Sequence, residues 1–314
     1  VVMEVSSQGL VQHRTDDIEF CSAVFTNLTP EHLDYHGDFS AYRDAKAILF
    51  RGLSPDSFAV LNADDDAGKF FSEKTRANVI WYGIRKNADV RCESAEFLTD
   101  STKMTVSYRN KEVEMVLPLI GLHNIYNALA AIANSVAFGI DLETARDAIS
   151  MFNNVPGRLE SIDCGQGFKV YVDYAHTAHA LEATLESLKQ SRSNGNRILL
   201  VFGCGGDRDK GKRPEMGRVA ARLADKFWIT NDNPRSEDPS KIISDIEEGL
   251  SSESLYIVQP DRRLAIKEAI KEAREEDIVL IAGKGHETGQ IIGDNTYRFN
   301  DKEIASEILN QSLC

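Results

Sequence analysis

A regular alternation of short apolar runs and helical stretches, beginning near residue 169, constrains this chain more than any other feature of its sequence. The apolar runs are KVYVDYA, RILLVFG, DKFWIT, SLYIV and DIVLIAG, and the stretches between them are AHALEATLESLKQ, RPEMGRVAARLA, DPSKIISDIEEGL and RRLAIKEAIKEA. Strands and helices that alternate at this spacing are typical of right-handed βαβ crossovers. Residues 156–314 are therefore predicted to form a Rossmann-like α/β domain with a mostly parallel sheet.

Residues 1–155 mix strands and helices less regularly and are predicted to form a separate α/β domain. VVMEV, AVFTN and FAVLNAD read as parallel strands, and SAYRDAKAILF reads as a helix. KMTVSYRNKEVEMVLPL alternates apolar and polar residues around RNKE, which predicts a β-hairpin. NIYNALAAIANSVAFG is predicted to be a helix that ends at Gly139, and ETARDAISMF a second helix. The turn-rich segment 153–167 is the predicted domain boundary.

The charge, the apolar runs and the cysteine content argue against binding to nucleic acid, insertion into a membrane and a disulfide or zinc framework. The formal net charge of −13 disfavours nucleic acid or an anionic membrane as a partner, since both require a basic face. No apolar stretch approaches the ~18 residues of a membrane span, so membrane insertion is not expected. The five cysteines form no CxxC pair, which favours a reducing compartment over a disulfide framework or a structural zinc site.

Three residues of the first domain are candidates for a metal site. Glu4 ends the predicted strand VVMEV, where a carboxylate is well placed for Mg²⁺, although a helix cap or a solvated side chain is the alternative. His32 lies in TNLTPEHLDYHGD, where two histidines and two acids could bind a metal or serve only as hydrogen-bond partners. Lys46 faces the apolar side of its predicted helix. It either extends its ammonium to water or captures CO₂ as a carbamate that could bind Mg²⁺.

Further polar groups lie where nucleotides commonly bind. Asn124 and Asn127 are one turn apart on one helix face, where they could bind adenine or ribose, or only cap the helix. Arg158, in PGRLE, lies in the boundary segment. DYAHT places Asp173 and His176 at the carboxyl end of a strand.

Three loops of the second domain follow predicted strands at the same edge of the sheet. The loop GCGGDRDKGKRP (203–214) lacks the spacing G-x-G-x-x-G, so NAD is not expected. It is either an anion site or a flexible surface loop, and its cations are Arg208, Lys210, Lys212 and Arg213. AGKGHE supplies Gly283, His286 and Glu287. NDNPRSEDP (231–239) places Arg235 at a strand end, although the chain as a whole is acidic.

Taken together, these motifs resemble the Mur ligase family. The resemblance rests on MEVSSQGLVQHR, FTNLTPEHLDYHGD, YRDAK, GLHNIYNALAA, PGRLE, VDYAHT, VFGCGGDRDKGKRP, DNPRSEDP and AGKGHE, which occur in family order over nearly the whole chain. It implies that residues 1–155 are the later part of a central P-loop-type ATPase domain and that residues 156–314 are the carboxy-terminal domain. One departure is DYAHTAHAL, where the family usually has Pro and an acid after the threonine.

The resemblance assigns each candidate residue a role. It implies that Glu4, His32 and Lys46 as its carbamate are catalytic and bind Mg²⁺. It assigns the UDP-muramoyl dipeptide to Ser6, Gln12, Arg14 and His176, and ATP to Asn124, Asn127, Arg158 and Asp173. It assigns the incoming amino acid, meso-diaminopimelate, to Arg208, Asp232, Asn233, Pro234, Arg235, Gly283 and Glu287.

The family reaction is ATP-dependent amide formation in peptidoglycan precursor synthesis. The resemblance implies a cytoplasmic, monomeric ligase that joins meso-diaminopimelate to UDP-N-acetylmuramoyl-L-alanyl-D-glutamate through an acyl phosphate. Arg235 would bind the second carboxylate, which lysine lacks. The alternatives are a lysine-adding ligase and a non-catalytic nucleotide- or amino-acid-binding module. No P-loop of the type GTxGKT occurs in the chain, so residues 1–314 alone are predicted to lack ligase activity.

Overall fold

The structure, a computed structural model, describes residues 1–29, 33–98, 100–152, 155–191 and 195–312. These residues form two compact units. Unit 1 comprises Val1–Glu96, Ser101–Pro118 and Leu122–Phe152, and unit 2 comprises Phe97–Asp100, Leu119–Gly121 and Asn153–Cys314. Within the described ranges, no helix has both the length and the apolar character that a transmembrane helix requires.

Unit 1 is built on a six-stranded sheet in the order β1-β2-β3-β4-β5-β6. The strands are β1 Ser22–Phe25, β2 Phe58–Asn62, β3 Asn78–Gly83, β4 Val90–Phe97, β5 Thr102–Tyr108 and β6 Lys111–Leu117. The first four pair in parallel. The last two pair antiparallel from Thr102↔Leu117 to Tyr108↔Lys111, which confirms the predicted hairpin.

The helices of unit 1 are α1 Ser7–Val11, α2 Leu33–His36, α3 Phe39–Arg51, α4 Asp66–Ser72, α5 Leu122–Ala137 and α6 Leu142–Ser150. The predicted end of α5 at Gly139 is confirmed, because Gly139 has a φ of +80° and its N–H bonds the carbonyl of Val136. One core cluster of this unit includes Phe25, Phe50 and Phe71, and the rings of Phe50 and Phe71 stack at 4.8 Å.

The prediction that VVMEV forms a buried strand is wrong. Residues 1–6 have no regular secondary structure, and the side chains of Val1 and Val2 are fully exposed. An apolar run becomes a strand only where a neighbouring strand satisfies its N–H and C=O groups. None of the described strands pairs with residues 1–6. Ser6 instead caps α1, since its hydroxyl accepts a hydrogen bond of 3.0 Å from the N–H of Gly9.

Unit 2 contains a six-stranded sheet in the order β11-β10-β9-β12-β8-β7. Its strands are β7 Glu160–Ile162, β8 Lys169–Asp173, β9 Ile198–Phe202, β10 Lys226–Ile229, β11 Tyr256–Val258 and β12 Ile278–Ala282. All pairs among β8 to β12 are parallel, and only β7 is antiparallel to its neighbour. The prediction of a mostly parallel sheet is confirmed.

Helices cover both faces of this sheet. They are α7 Ala178–Ser191, α8 Lys212–Leu223, α9 Pro239–Glu247, α10 Arg262–Glu272 and α11 Asp301–Ser312, and a separate hairpin is formed by β13 Gly289–Ile292 and β14 Asn295–Arg298. Leu200 and Phe202 of β9 pack in the core with α7, α8 and α9, whereas Leu199 and Val201 pack in the core with α10 and α11. Burial on both faces explains why these strands are continuous apolar runs.

Candidate functional site

The loops that follow β9 and β10 lie against each other at the carboxyl edge of the unit 2 sheet. The N–H of Gly206 donates to the carbonyl of Asn233 at 2.9 Å. The Nη1 of Arg235 donates to the carbonyl of Gly206 at 2.7 Å. A Cβ on Gly206 would lie 1.9 Å from the carbonyl oxygen of Pro234, so only glycine permits this approach.

Acidic side chains fasten the same two loops together. The carboxylate of Asp207 accepts hydrogen bonds from the hydroxyl and the N–H of Ser236 at 2.8 and 3.1 Å. Glu237 accepts the N–H of Asp207 at 2.6 Å and a bidentate pair from the fully buried guanidinium of Arg213, at 2.9 and 3.0 Å. Arg213 also donates to Asp245 at 2.7 Å. These contacts hold the two loops in a fixed relation.

The same contacts weaken the interpretation of loop 203–214 as a multi-cation anion site. Arg213 bonds Glu237 and Asp245, Lys210 lies 3.4 Å from Glu237, and the Nζ of Lys212 donates to the carbonyl of His176 at 2.8 Å. Arg208 is exposed and forms no ion pair among the described residues, and its Nη1 donates a hydrogen bond of 3.4 Å to the carbonyl of Asp207. We therefore retain Arg208 alone as a ligand-facing candidate from this loop.

Glu237→Gln is expected to lower the free energy of unfolding of unit 2 by about 1–3 kcal/mol, because it leaves the buried guanidinium of Arg213 with one ionised partner fewer. The hydrogen bonds from Arg213 and from the N–H of Asp207 lower the pKa of Glu237 to about 2. A carboxyl with a lowered pKa stabilises the fold above its unfolded-state pKa. The difference in unfolding free energy between the unmodified protein and Glu237→Gln should therefore be constant above about pH 5. It should shrink as the pH falls from about 4.5 towards 2. Urea unfolding at several pH values measures this difference.

Glu253→Gln is the matched control for this measurement. Glu253 is an exposed acid of the same unit, so the substitution should change the unfolding free energy by less than about 0.5 kcal/mol at every pH. A loss in Glu237→Gln that does not depend on pH would contradict the assigned ion pair.

The backbone of Arg235 is clamped by the β13–β14 hairpin. Its N–H donates to the carbonyl of Ile291 at 3.1 Å, and its carbonyl accepts the N–H of Gly293 at 2.7 Å. Gln290 adds a hydrogen bond of 2.8 Å from its side-chain amide to the carbonyl of Asp232. Arg235 has a φ of +51°, which is uncommon for a residue with a side chain. The hairpin thus fixes the direction in which this arginine leaves the loop.

A fully buried lysine joins the β10 and β12 loops. The Nζ of Lys284 donates to Asn233 Oδ1 at 2.9 Å and to Glu287 Oε2 at 2.8 Å, and Asn233 Nδ2 donates to the same Glu287 oxygen at 2.9 Å. Burial works to raise the pKa of Glu287, but the hydrogen bonds from Lys284 and Asn233 outweigh it and leave the pKa below its ordinary value. Sequence reasoning did not identify Lys284, because a lysine in a glycine-rich loop is usually exposed.

Asp232 adds a second acid beside this cluster. It is buried, and its Oδ2 lies against Gly283, where a Cβ would come within 2.8 Å. Burial raises the pKa of Asp232, while the nearby charges of Arg262 and Lys284 oppose the increase. The sheet edge therefore brings together a guanidinium at Arg235 and two carboxyl groups, a combination suited to a ligand that has both carboxylate and ammonium groups.

The predicted ATP residues of unit 2, Arg158 and Asp173, are connected through the backbone of Leu159. The carboxylate of Asp173 accepts the N–H of Leu159 at 2.7 Å and the N–H of Ala175 at 2.8 Å. The guanidinium of Arg158 lies 5.1 Å from the centre of the Tyr174 ring. Asp173 thus positions the loop that contains Arg158. His176 is exposed, and its Nδ1 lies 2.9 Å from the carbonyl of Tyr174.

The predicted ATP residues of unit 1 lie together on α5. Asn127 Nδ2 donates to Asn124 Oδ1 at 3.3 Å, so the two side chains share one face. The hydroxyl of Tyr126, a residue between these two in the sequence, donates to Asp64 at 2.9 Å. Asp64 also accepts the N–H groups of the three residues that follow β3, Ile84, Arg85 and Lys86. Burial acts to raise the pKa of Asp64, but these hydrogen bonds lower it overall.

The predicted metal site is only partly described. Glu4 is exposed, Lys46 is half-buried with its Nζ 5.2 Å from the centre of the Tyr42 ring, and His32 lies outside the described residues. The described residues contain no group of three or more His, Cys, Asp or Glu side chains that could hold a metal ion. The metal-binding role of Glu4, His32 and Lys46 stays a prediction.

Three of the four residues predicted to bind the UDP-muramoyl dipeptide lie next to α1, and the fourth, His176, is in unit 2. Ser6 caps the helix, and Gln12 Nε2 donates to the hydroxyl of Tyr35 at 3.3 Å. Arg14 has an exposed side chain, and its backbone N–H bonds the carbonyl of Gly9 at 2.9 Å. Their predicted role is compatible with this placement but is not tested by it.

The chain is similar in sequence to known protein families and to known ligases. Residues 1–135 match the family described as Mur ligase middle domain, and residues 157–285 match Mur ligase, glutamate ligase domain. The chain is 45% identical over 312 residues to UDP-N-acetylmuramoyl-L-alanyl-D-glutamate--2,6-diaminopimelate ligase of Geobacillus thermodenitrificans, covering 97% of this chain and 63% of the relative. It is 44% identical over 312 residues to the ligase of the same name from Solibacter usitatus, covering 98% of this chain and 63% of that relative.

The fold of the chain is also similar to solved structures of Mur ligases. A solved structure of UDP-N-acetylmuramoyl-L-alanyl-D-glutamate--2,6-diaminopimelate ligase superposes with a TM-score of 0.67 at 35% identity, covering 99% of this chain and 64% of that one. The MurF ligase of Thermotoga maritima, solved in complex with ADP, superposes with a TM-score of 0.74 at 17% identity, covering 97% and 66%, and shows a shared fold. This chain thus spans 63% of the length of the curated relatives above.

Proposed function

Because this chain belongs to the Mur ligase family, we propose that it forms the later part of an ATP-dependent amide ligase that joins meso-diaminopimelate to UDP-N-acetylmuramoyl-L-alanyl-D-glutamate. The site that supports this proposal most directly is the carboxyl edge of the unit 2 sheet. There the guanidinium of Arg235 lies in one loop cluster with Asp232 and Glu287.

This arrangement suits an amino acid as the incoming nucleophile. Asp232 and Glu287 would receive an ammonium group, and Arg235 and Arg208 would receive carboxylates. Both arginines lie beside Gly205, since a Cβ there would be 2.9 Å from Arg235 Nη1 and 3.8 Å from Arg208 Cγ. Asn233, Pro234 and Gly283 would shape the pocket around them.

The distal carboxylate of meso-diaminopimelate would account for the presence of Arg235 at this site. Lysine ends in an ammonium and has no second carboxylate, so it would leave the guanidinium of Arg235 without its charged partner. A guanidinium binds a carboxylate through two parallel hydrogen bonds, and leaving such a group unpaired costs about 1–3 kcal/mol or more. The enzyme would therefore select meso-diaminopimelate over lysine.

In the proposed reaction this chain would also bind ATP, both at its nucleoside and at its phosphates. Asn124 and Asn127 would bind the nucleoside of ATP, and Arg158 would bind its phosphates, where charge spreads over the oxygens during phosphoryl transfer. The carboxylate of the muramoyl dipeptide would attack the γ-phosphorus of ATP, and the bond to ADP would break as the acyl phosphate forms. The amine held at Asp232 and Glu287, after its ammonium form has lost a proton, would then attack the acyl carbon, and phosphate would leave.

The test is ADP release by a protein that contains these 314 residues and extends over the full length of the relatives. ADP should form only when both UDP-N-acetylmuramoyl-L-alanyl-D-glutamate and meso-diaminopimelate are present, and the product should contain a new amide bond detectable by mass spectrometry. L-Lysine at equal concentration should give at least about tenfold less product. Equal turnover with L-lysine would identify a lysine-adding ligase, and no turnover with either amino acid would favour a binding module.

A further inference from the structure

We propose that Lys284 is a positioning residue for the incoming amino acid, because it fixes Asn233 and Glu287 in the geometry that receives the ligand's ammonium group. This inference rests on the proposed function. It assigns a purpose to a buried lysine that neither the family resemblance nor the sequence pattern explains.

The contacts of Lys284 determine how the Asn233 amide is oriented. Asn233 Oδ1 accepts two hydrogen bonds, from Lys284 Nζ at 2.9 Å and from the N–H of Ile291 at 3.0 Å. The amide nitrogen is consequently directed to Glu287 Oε2, at 2.9 Å. Without the lysine, one of the two donors that define this orientation is lost, and the amide is held only by the N–H of Ile291 and by Glu287.

The same contacts decide which oxygen of Glu287 remains for a ligand. Lys284 and Asn233 both bond Oε2, and within the described part of the chain no hydrogen bond to Oε1 is found. The side chain of Glu287 is 32% exposed, whereas that of Lys284 is fully buried. One carboxylate oxygen is thus fixed from inside the protein, and the other is available to an ammonium group.

The charges around this cluster show why a cation is needed. Glu287 faces Lys284 and Arg235, and Asp232 faces Arg262, Lys284, Glu287 and Asp301. Arg262 is already paired with Asp301 by two hydrogen bonds of 2.7 and 2.8 Å. Lys284 is therefore a buried cation that hydrogen-bonds Glu287 and also acts on Asp232, whereas Arg262 acts on these acids by charge while it bonds Asp301. Removal of Lys284 should raise the pKa of both Asp232 and Glu287.

The experiment compares the unmodified chain with Lys284→Met by calorimetric titration of meso-diaminopimelate from pH 5.5 to 8. The unmodified chain should bind with an affinity that changes less than about twofold over this range. Lys284→Met should bind more weakly at every pH, and its affinity should fall up to about tenfold for each unit of pH below the raised pKa, since only ionised carboxylates attract an ammonium group. Adding Glu287→Gln to Lys284→Met should remove the part of this dependence that comes from Glu287 and leave the part that comes from Asp232.

Lys226→Met is the matched control. Lys226 begins β10 at the opposite edge of the sheet and pairs with Glu272 at 3.3 Å, so its loss should leave both affinity and pH profile unchanged. Lys284→Gln keeps a hydrogen-bond donor but removes the charge, and it should show the same pH dependence as Lys284→Met. Thermal unfolding verifies that each variant is folded, and Lys284→Gln replaces Lys284→Met if the latter is not.

A second readout does not need a ligand. The side-chain carboxyl of Glu287, labelled with ¹³C, should titrate at higher pH in the Lys284 variants than in the unmodified chain. If meso-diaminopimelate fails to bind the unmodified chain while this shift is present, the proposed function fails but the effect of Lys284 on Glu287 stands. If neither the carboxyl titration nor the pH profile of binding changes in the variants, the positioning role is overturned.

Discussion

Arg235→Ala is expected to lower kcat/KM for meso-diaminopimelate by about 10²-fold or more in an active ligase that contains this chain, because it removes a bidentate charged contact. The KM for ATP should hardly change, since in the proposed site Arg235 contacts the amino acid and not the nucleotide. Steady-state kinetics with meso-diaminopimelate and with L-lysine measure both the loss and the selectivity, which should shrink.

Arg298→Ala is the matched control for this substitution. Arg298 lies on β14 of the hairpin that clamps Arg235, and its side chain is 84% exposed. Its loss should change kcat/KM by less than about twofold, because an exposed ion pair contributes little. Equal losses for meso-diaminopimelate and L-lysine in Arg235→Ala would mean that the arginine supports the loop rather than binding the distal carboxylate.

Asp301→Asn is expected to lower the free energy of unfolding of unit 2 by about 3–5 kcal/mol, because it leaves the guanidinium of Arg262 buried without its counter-ion. Both side chains are fully buried, and they join α10 to α11. Arg262 also donates to the carbonyl of Ala282 at 2.9 Å, directly before Gly283, while its Nη1 has no hydrogen-bond partner among the described residues. The two charged hydrogen bonds to Asp301 are therefore the main compensation for the burial of this guanidinium.

Fluorescence of Trp228 during urea unfolding measures this loss in a Trp81→Phe background. The chain has two tryptophans, and Trp228 is the buried one in unit 2, so the signal then reports on unit 2 alone. Glu303→Gln, which breaks an exposed pair with Arg298, should cost less than about 1 kcal/mol. Replacing the buried pair together, by Arg262→Met with Asp301→Leu, should recover most of the stability. A loss in Asp301→Asn no larger than that in Glu303→Gln would contradict the assigned pair.

Prediction from sequence worked best where burial alone specifies a strand. The segments ILLVF of β9 and IVLIA of β12 are buried at every position, and both were predicted. The segment NVIWYG of β3 was not predicted, because only its last two residues are buried and its apolar pattern is incomplete. The run VVMEV was predicted wrongly, because an apolar run cannot by itself indicate whether a pairing partner exists.

For the candidate site, too, the sequence predicted some features and could not show others. The sequence placed the loops 203–214, 231–239 and 282–287 at one sheet edge, because the carboxyl ends of parallel strands meet there. It could not show that Arg213 bonds Glu237 rather than a ligand, since the two residues are separated by 24 positions. The metal-site residues remain predictions, as does the role of Lys46.

What the sequence by itself determined is the family, the parallel sheet of unit 2 and the edge at which its functional loops lie. These follow from the order of motifs and from the periodicity of apolar residues, which are local properties of the chain. Only the tertiary structure decided which basic side chains are buried, namely Arg213, Arg262 and Lys284 among the described residues. A charge is stable in the interior only beside an opposite charge or a hydrogen-bond acceptor. Those partners, including Asp301 for Arg262 and Asn233 for Lys284, come from distant parts of the chain.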